Sequence, residues 1–193
     1  MIGKLLVACE CSQVVTTAFR ALGITAFSCD IQPCYGGHPE WHILGDALDV
    51  AYSGDWSMMI AHPPCTYLSN VGSPSLVLPD GSLDPVRYAR LLAARDFFLR
   101  LLNAPIPRIC VENPKPTSRA NLPLSSQAIQ PYYFGDPFSK YTLLWLRNLP
   151  GLMATCICAD FVSWNSLHRS PRIRSQTFPG IASAMAKQWG SFV

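Results

Sequence analysis

Charge is scarce in this chain: 14% of its 193 residues are Asp, Glu, Lys or Arg, against 49% hydrophobic. A disordered chain shows the opposite balance, so the composition points to a packed core and the length to a single domain over residues 1–193. No run of about 18 apolar residues occurs, which excludes an ordinary membrane-spanning helix. The N-terminal residues lack the apolar core and small-residue cleavage site of a secretory leader. A cytoplasmic protein with no membrane partner is therefore expected, its eight cysteines reduced. Acids are missing altogether after Asp160, while Arg169, Arg172, Arg174 and Lys187 follow it. That stretch is expected to give a local basic surface able to meet phosphate, although a net charge of +3 does not by itself identify a nucleic-acid partner. Cys156-Ile157-Cys158, with His168 nearby, lacks a second cysteine pair, so no metal site is expected. Internal repeats and low-complexity stretches are absent too.

What the chain does have is alternation. Lys4 to Cys9 reads as a buried strand. Gln13 to Leu22 has helical spacing, with Val14, Ala18, Phe19 and Leu22 on one face, and Gly23 as a terminator. Thr25 to Asp30 reads as a second strand, Pro33 to Pro39 as a loop, and Gly45 to Leu48 as a turn. Met58 to Ala61 is a short apolar strand. Ser69 to Pro85 is a long polar loop. Val86 to Leu102 is a helix, with Leu91, Ala94, Phe98 and Leu101 on one side. Arg108 to Val111 is a strand ending at Glu112, Thr142 to Leu146 another, and Phe178 to Gly190 a closing helix. Strands alternating with helices predict an α/β fold: a doubly wound, mostly parallel sheet with helices on both faces. In such sheets ligands bind beyond the carboxyl ends of the strands, and Glu10, Asp30, Cys65 and Glu112 all fall there.

The residue types at that rim suggest chemistry. An acid ending the second strand, about 20 residues after the first strand–helix turn, can hold a ribose diol, which fits Asp30 as well as a plain turn aspartate does. Asp46 can contact an adenine amino group by the same logic. The first turn, Cys9-Glu10-Cys11-Ser12-Gln13, contains no glycine. A pyrophosphate needs close backbone approach, so NAD and FAD are disfavoured, and a cofactor without phosphates, such as S-adenosylmethionine, is less demanding. In His62-Pro63-Pro64-Cys65 the two prolines stiffen the backbone and fix the thiol, making Cys65 a candidate nucleophile. In Val111-Glu112-Asn113-Pro114 the glutamate can act on a proton at a heterocycle, with Asn-Pro forcing an extended exit. A cysteine adding to C6 of cytosine makes C5 enamine-like, and a carboxyl group at N3 steadies the developing charge. The pair therefore matches what methyl transfer to C5 requires.

In their order these residues resemble the motifs of the cytosine-5 DNA methyltransferases. Leu5 to Pro33 resembles the family's cofactor turn, helix, second strand and terminal acid. Gly45-Asp46 resembles the next cofactor contact, Pro64-Cys65 the catalytic loop, and Glu112-Asn113 the Glu-Asn pair. Phe134-Gly135-Asp136-Pro137-Phe138-Ser139-Lys140-Tyr141-Thr142 resembles the family's Tyr-Gly-x-Pro-Gln-x-Arg-x-Arg segment, with Lys140 at the first arginine and Thr142 at the missing second. Ser175-Gln176-Thr177 resembles the last motif. The resemblance implies a methyltransferase-like fold using S-adenosylmethionine, with DNA as partner. It implies Cys65, Glu112 and Lys140 as catalytic residues. Cofactor contacts would be Cys9, Glu10, Cys11, Asp30, Ile31, Asp46, Ala47, Pro63, Gln176 and Thr177, and substrate contacts Pro64, Ser69, Asn70, Asn113, Arg172 and Arg174.

The departures are the missing glycines, Thr66 in place of the family's glutamine after the catalytic cysteine, and brevity. Residues 147–175 stand where the family inserts a target-recognition domain, leaving a short remnant. A protein partner stays open as the source of target recognition. So do two alternatives: C5 modification of a free pyrimidine nucleotide, and a catalytically degenerate fold that binds nucleic acid or protein. A minimal form of this kind suits a phage or mobile element, with the host cytoplasm as its location.

Overall fold

The short apolar runs become strands because each is too short for a stable helix and is bounded by turn residues. The computed structural model describes residues 3–70, 75–167 and 170–193. Its main sheet contains β1 (Leu5–Ala8), β2 (Ala26–Asp30), β3 (His42–Leu44), β4 (Met58–Ala61), β5 (Arg108–Pro114), β6 (Gln127–Ile129) and β8 (Thr142–Arg147). A separate two-stranded ribbon pairs β7 (Phe138–Ser139) with β9 (Val162–Ser163). The order across the main sheet is β3-β2-β1-β4-β5-β8-β6. The first five of these strands pair in parallel, whereas β8 runs antiparallel to both β5 and β6. The chain thus folds as a mostly parallel α/β sheet with helices on both faces. Strand order reverses direction about β1, with β2 to one side and β4 to the other, which opens a crevice at the carboxyl ends of the strands.

Alternation along the strands sorts the core into two layers. Leu6, Ala8, Met59, Ala61, Ile109 and Val111 face α2 (Ala47–Ser53) and α3 (Pro85–Leu102). Leu5, Val7, Met58, Ile60 and Cys110 face α1 (Val14–Arg20) and α5 (Pro179–Trp189). A one-turn helix, α4 (Pro171–Arg174), precedes α5. In α3, Asp84 caps the N-terminus by accepting the Val86 and Arg87 N–H groups at 2.9 and 3.0 Å, with Pro85 opening the first turn. Leu91, Phe98 and Leu101 seal the buried face of α3, each contributing about 1.5–3 kcal/mol. Among the described residues, no helix is long and apolar enough to cross a membrane.

Several sequence expectations need correction. The buried face of α1 is Val15, Thr16 and Phe19; Leu22 lies beyond the helix, half exposed. The turn expected at Gly45–Leu48 is the start of a whole helix, α2, capped by Asp46. Glu112 does not end its strand: β8 supplies a partner as far as Pro114, pairing Glu112 with Leu144 and Pro114 with Thr142. Arg169, His168 and part of the Ser69–Pro85 loop, residues 71–74, lie outside the described residues. Within the rest of that loop Val77 bridges Leu83, and Leu76 is buried.

Candidate active site

The turn after β1 sets one wall of the crevice. Cys9 and Gln13 both have φ of 60°, the left-handed conformation that glycine usually supplies. The turn therefore keeps a glycine-like path without glycine. Gln13 is held there from both ends of its amide: Nε2 donates to Ser28 Oγ at 3.2 Å and the His38 carbonyl at 2.7 Å, and Oε1 accepts the His38 N–H at 3.1 Å. Glu10 is not a crevice residue. Its carboxylate accepts the N–H groups of Val15 and Thr16 and the Thr16 hydroxyl, at 2.7, 3.2 and 2.7 Å, and so serves the free N-terminus of α1. Glu10→Ala is expected to lower stability by about 1–3 kcal/mol, because it strands those donors in a buried place; a denaturant titration reads this directly.

The crevice holds a cavity of about 350 Å³ lined by Cys9, Asp30, Ile31, Gln32, Asp46, Ala47, Pro64, Ala94 and Phe97. Five of the expected cofactor contacts, Cys9, Asp30, Ile31, Asp46 and Ala47, come together here. Asp30 Oδ1 accepts the Gln32 N–H at 2.9 Å, which orients the carboxylate. Asp46 caps α2 by accepting the Leu48 N–H at 2.7 Å. Burial first, then the Asp30 and Asp46 charges, push the Cys29 thiol up to about 11. Cys9 is driven higher, by burial first and then by the Asp30 charge. The missed lining residues are Ala94, Phe97 and Gln32. The first two lie toward the edge of the apolar face of α3, which reads as core from its spacing alone.

Beside it lies a narrower cleft lined by Glu112, Lys140, Thr142, Ser175, Gln176, Thr177, Phe178 and Ile181. Gln176 and Thr177 thus sit with Glu112 and Lys140 rather than in the larger cavity, a correction to their expected place. Pro64, expected on the substrate side, lines the cavity, whereas Pro63, expected to contact the cofactor, is buried and its carbonyl accepts from Asn113 Nδ2 at 2.9 Å. Cys11 turns to the loop, its carbonyl taking the Tyr35 N–H at 2.8 Å. Ser69 and Asn70 line neither space; they tie the Cys65 loop to its neighbour through a Ser69–Pro116 bridge and the Asn70 N–H to the Lys115 carbonyl at 2.9 Å. Arg172 stacks on Tyr35, 3.6 Å from the ring centroid, and the Arg174 carbonyl accepts the Lys140 ammonium at 3.0 Å.

Glu112 and Cys65 are electrically linked. Burial pushes the Glu112 carboxyl up, but the His62 ring, the Lys140 ammonium and the Thr142 hydroxyl pull harder, so it lies below the ordinary carboxylate value. Cys65 is exposed, and its thiol is raised by desolvation and by the Glu112 charge, with Lys140 and Arg174 opposing. At neutral pH the proton of this pair therefore rests on sulfur. His62 and Thr142, both in contact with Glu112, had no role assigned from sequence. The histidine was visible in its motif, but nothing in the spacing says that residues 50 positions apart would touch.

No protein-family model matches the chain, and no curated protein matches its sequence. Among solved structures, an E. coli protein assigned as a DNA modification methyltransferase encoded within a prophage aligns with a TM-score of 0.46 and 10% identity, over 75% of this chain and 46% of its own. The S. pombe Dnmt2 methyltransferase aligns at 0.46 and 15%, over 77% and 50%. A Spodoptera frugiperda Dnmt2 variant aligns at 0.43 and 16%, over 88% and 55%. The chain spans about half the length of these structures.

Proposed function

We propose that this chain transfers a methyl group from S-adenosylmethionine to C5 of cytosine in DNA, through a covalent adduct on Cys65. The observation that carries the reading is the placement of Cys65 and Glu112 at the same end of the sheet, beside a cavity bearing two carboxylates and an aromatic ring. The lining suits the cofactor: Asp30 can accept from a ribose diol, Asp46 can accept from an amino group, and Phe97, Ile31, Ala47 and Pro64 offer apolar contact to a flat base. When bound, S-adenosylmethionine supplies an electrophilic methyl group.

The residues of the chain do the rest. A stacked base shields the face of C6, so a DNA substrate must flip its target base, at a cost of a few kcal/mol. With the ring between Cys65 and Glu112, the S–H bond breaks as S–C6 forms, and the thiol proton passes to N3. Glu112, ionised beforehand, accepts the hydrogen bond from that new N–H. After methylation the C5 proton leaves to water, C5=C6 re-forms, and the departing thiolate recovers the N3 proton. The proton that Cys65 must lose is the one that N3 must gain. The raised thiol and lowered carboxyl suit that order of events.

Lys140, beside Glu112, is proposed to face the base or its phosphate and Arg172 and Arg174 to shape the substrate side, with Asn113, Ser69 and Asn70 acting on it only through the Cys65 loop that they hold. Residues 147–175 take the place of a recognition domain, so base-specific contacts are proposed to come from a protein partner. The cofactor half of the reading is tested by calorimetry with S-adenosylhomocysteine. Wild-type protein is expected to bind, and Asp30→Ala to weaken binding by about 1–3 kcal/mol, the range for losing a hydrogen-bonded charged partner. A folded wild-type protein that takes up no ligand at millimolar concentration removes the cofactor assignment. Transfer of labelled methyl to cytosine in DNA tests the rest.

A further inference from the structure

Two hydrogen bonds lace the motif around Cys65 to the one around Glu112. Asn113 Nδ2 donates to the Pro63 carbonyl at 2.9 Å, and His62 Nδ1 lies 3.1 Å from Glu112 Oε2. The His62 side chain is 9% exposed and that of Glu112 is 18% exposed, so the contact is sheltered from water. The His62 backbone is fixed by its own N–H, which donates to the Ala8 carbonyl at 3.0 Å. A carboxylate can only accept, so Nδ1 carries the hydrogen and donates. The other ring nitrogen, Nε2, is buried with no hydrogen-bond partner among the described residues. A ring present only to fill space would bury that nitrogen at a cost and gain nothing that an apolar side chain lacks. The polar contact the ring does make is on the carboxylate that the reaction uses.

We propose that His62 is a positioning residue for Glu112, its Nδ1–H anchoring one carboxylate oxygen so that the other is presented to N3 of the pyrimidine. This rests on the functional reading above. The anchor makes Glu112 an acceptor of fixed orientation before the base arrives. Reorientation of the carboxylate then adds nothing to the barrier at the moment N3 gains its proton. The groups that act on Glu112 or feel its charge are His62 and Cys65 from the loop after β4, Thr142 from β8, Lys140 from the segment before β8 and Cys110 on β5 itself. Of these, His62 reaches it with a hydrogen bond from the loop that carries the nucleophile, whereas the Thr142 hydroxyl donates to the Lys140 carbonyl at 3.1 Å.

The experiment compares His62→Ala, His62→Asn and His62→Gln in the full chain. The Asn amide nitrogen falls where Nδ1 lies, and the Gln amide nitrogen falls near Nε2. One readout is methyl transfer to DNA: His62→Ala is expected to lower kcat by ~10–100-fold, the range seen when a residue that orients a reacting ligand is lost, with KM for DNA little changed. His62→Asn is expected to recover most of kcat and His62→Gln little of it. The second readout needs no activity. The Glu112 carboxyl is followed by carbon-13 NMR in glutamate-labelled protein, assigned by its loss in Glu112→Gln. Its titration midpoint is expected to rise in His62→Ala and to return in His62→Asn. If the midpoint is the same in His62→Ala as in wild type, or Asn and Gln behave alike, the proposal is wrong. Should His62→Ala fail to fold, the Asn and Gln pair decides. Should the wild-type protein methylate no DNA, the functional reading falls, while the titration still decides whether His62 holds Glu112.

Discussion

Cys65→Ala is expected to abolish methyl transfer and, with it, the stable adduct that forms on DNA carrying 5-fluorocytosine. The fluorine at C5 cannot leave as a proton, so the last step of the proposed reaction is blocked. The S–C6 bond then persists through denaturation. Cys65 is an exposed thiol on the loop after β4, raised by burial and by the Glu112 charge, whereas Cys29 and Cys110 are buried within the sheet. Cys156→Ala and Cys158→Ala are expected to keep both trapping and turnover, since these residues sit against Phe134 and Tyr132 rather than on the loop after β4. The measurement is a gel shift of denatured protein–DNA adduct alongside incorporation of labelled methyl. Methyl transfer that survives in Cys65→Ala would show that sulfur attack is not part of the reaction.

Why this site could be read so far from sequence is clear from the strands that hold it. β1 and β4 are uninterrupted apolar runs bounded by turn residues, and β2 is an apolar run broken only by Ser28 before it ends in Asp30, so their ends, and with them Asp30 and the Cys65 loop, can be placed. The elements that escaped notice are those whose patterns are set by neighbours. β3 has three residues, β6 three and β9 two, too few for any period to register. α2 was hidden because Asp46 at its start also reads as a ligand contact; in the structure it caps the helix and lines the cavity together. Glu10 misled in the opposite way. It sits where a crevice residue should, but a buried carboxylate goes where the donors are, and the free N–H groups of α1 are closer. Gln176 and Thr177 were placed in the cofactor cavity by motif order alone. The start of α5 brings them instead against Glu112 and Lys140. The turn after β1 carries the more general point. Motif reading expects glycine there because of the backbone it permits, yet Cys9 and Gln13 adopt that backbone with side chains attached, and the buried amide of Gln13 holds it.

Glu112→Gln is expected to pull two measurements in opposite directions. Turnover should fall by about 10²–10⁴-fold, the usual range for a positioned acid–base group, because an amide is a far weaker acceptor for the N–H that forms at N3. Alkylation of Cys65 in the free protein should become faster. The sign follows from the linkage between the two groups. Glu112 is held below the ordinary carboxylate value, so it is negative at neutral pH, and its charge contributes to raising Cys65 above the usual thiol value. Removing that charge lowers the thiol's titration toward the ordinary range and enlarges the thiolate fraction at any pH below it. Iodoacetamide labelling between neutrality and pH 9, with Cys65 followed by peptide mass spectrometry, reads the change directly. A glutamate too far from Cys65 for its charge to act on the thiol would not produce this split. Loss of its hydrogen bond with His62 would loosen the site and slow turnover, but it carries no reason for the Cys65 labelling profile to shift to lower pH. Slower turnover with an unshifted labelling profile would therefore separate Glu112 from the nucleophile and leave the N–H formed at N3 without its assigned hydrogen-bond acceptor.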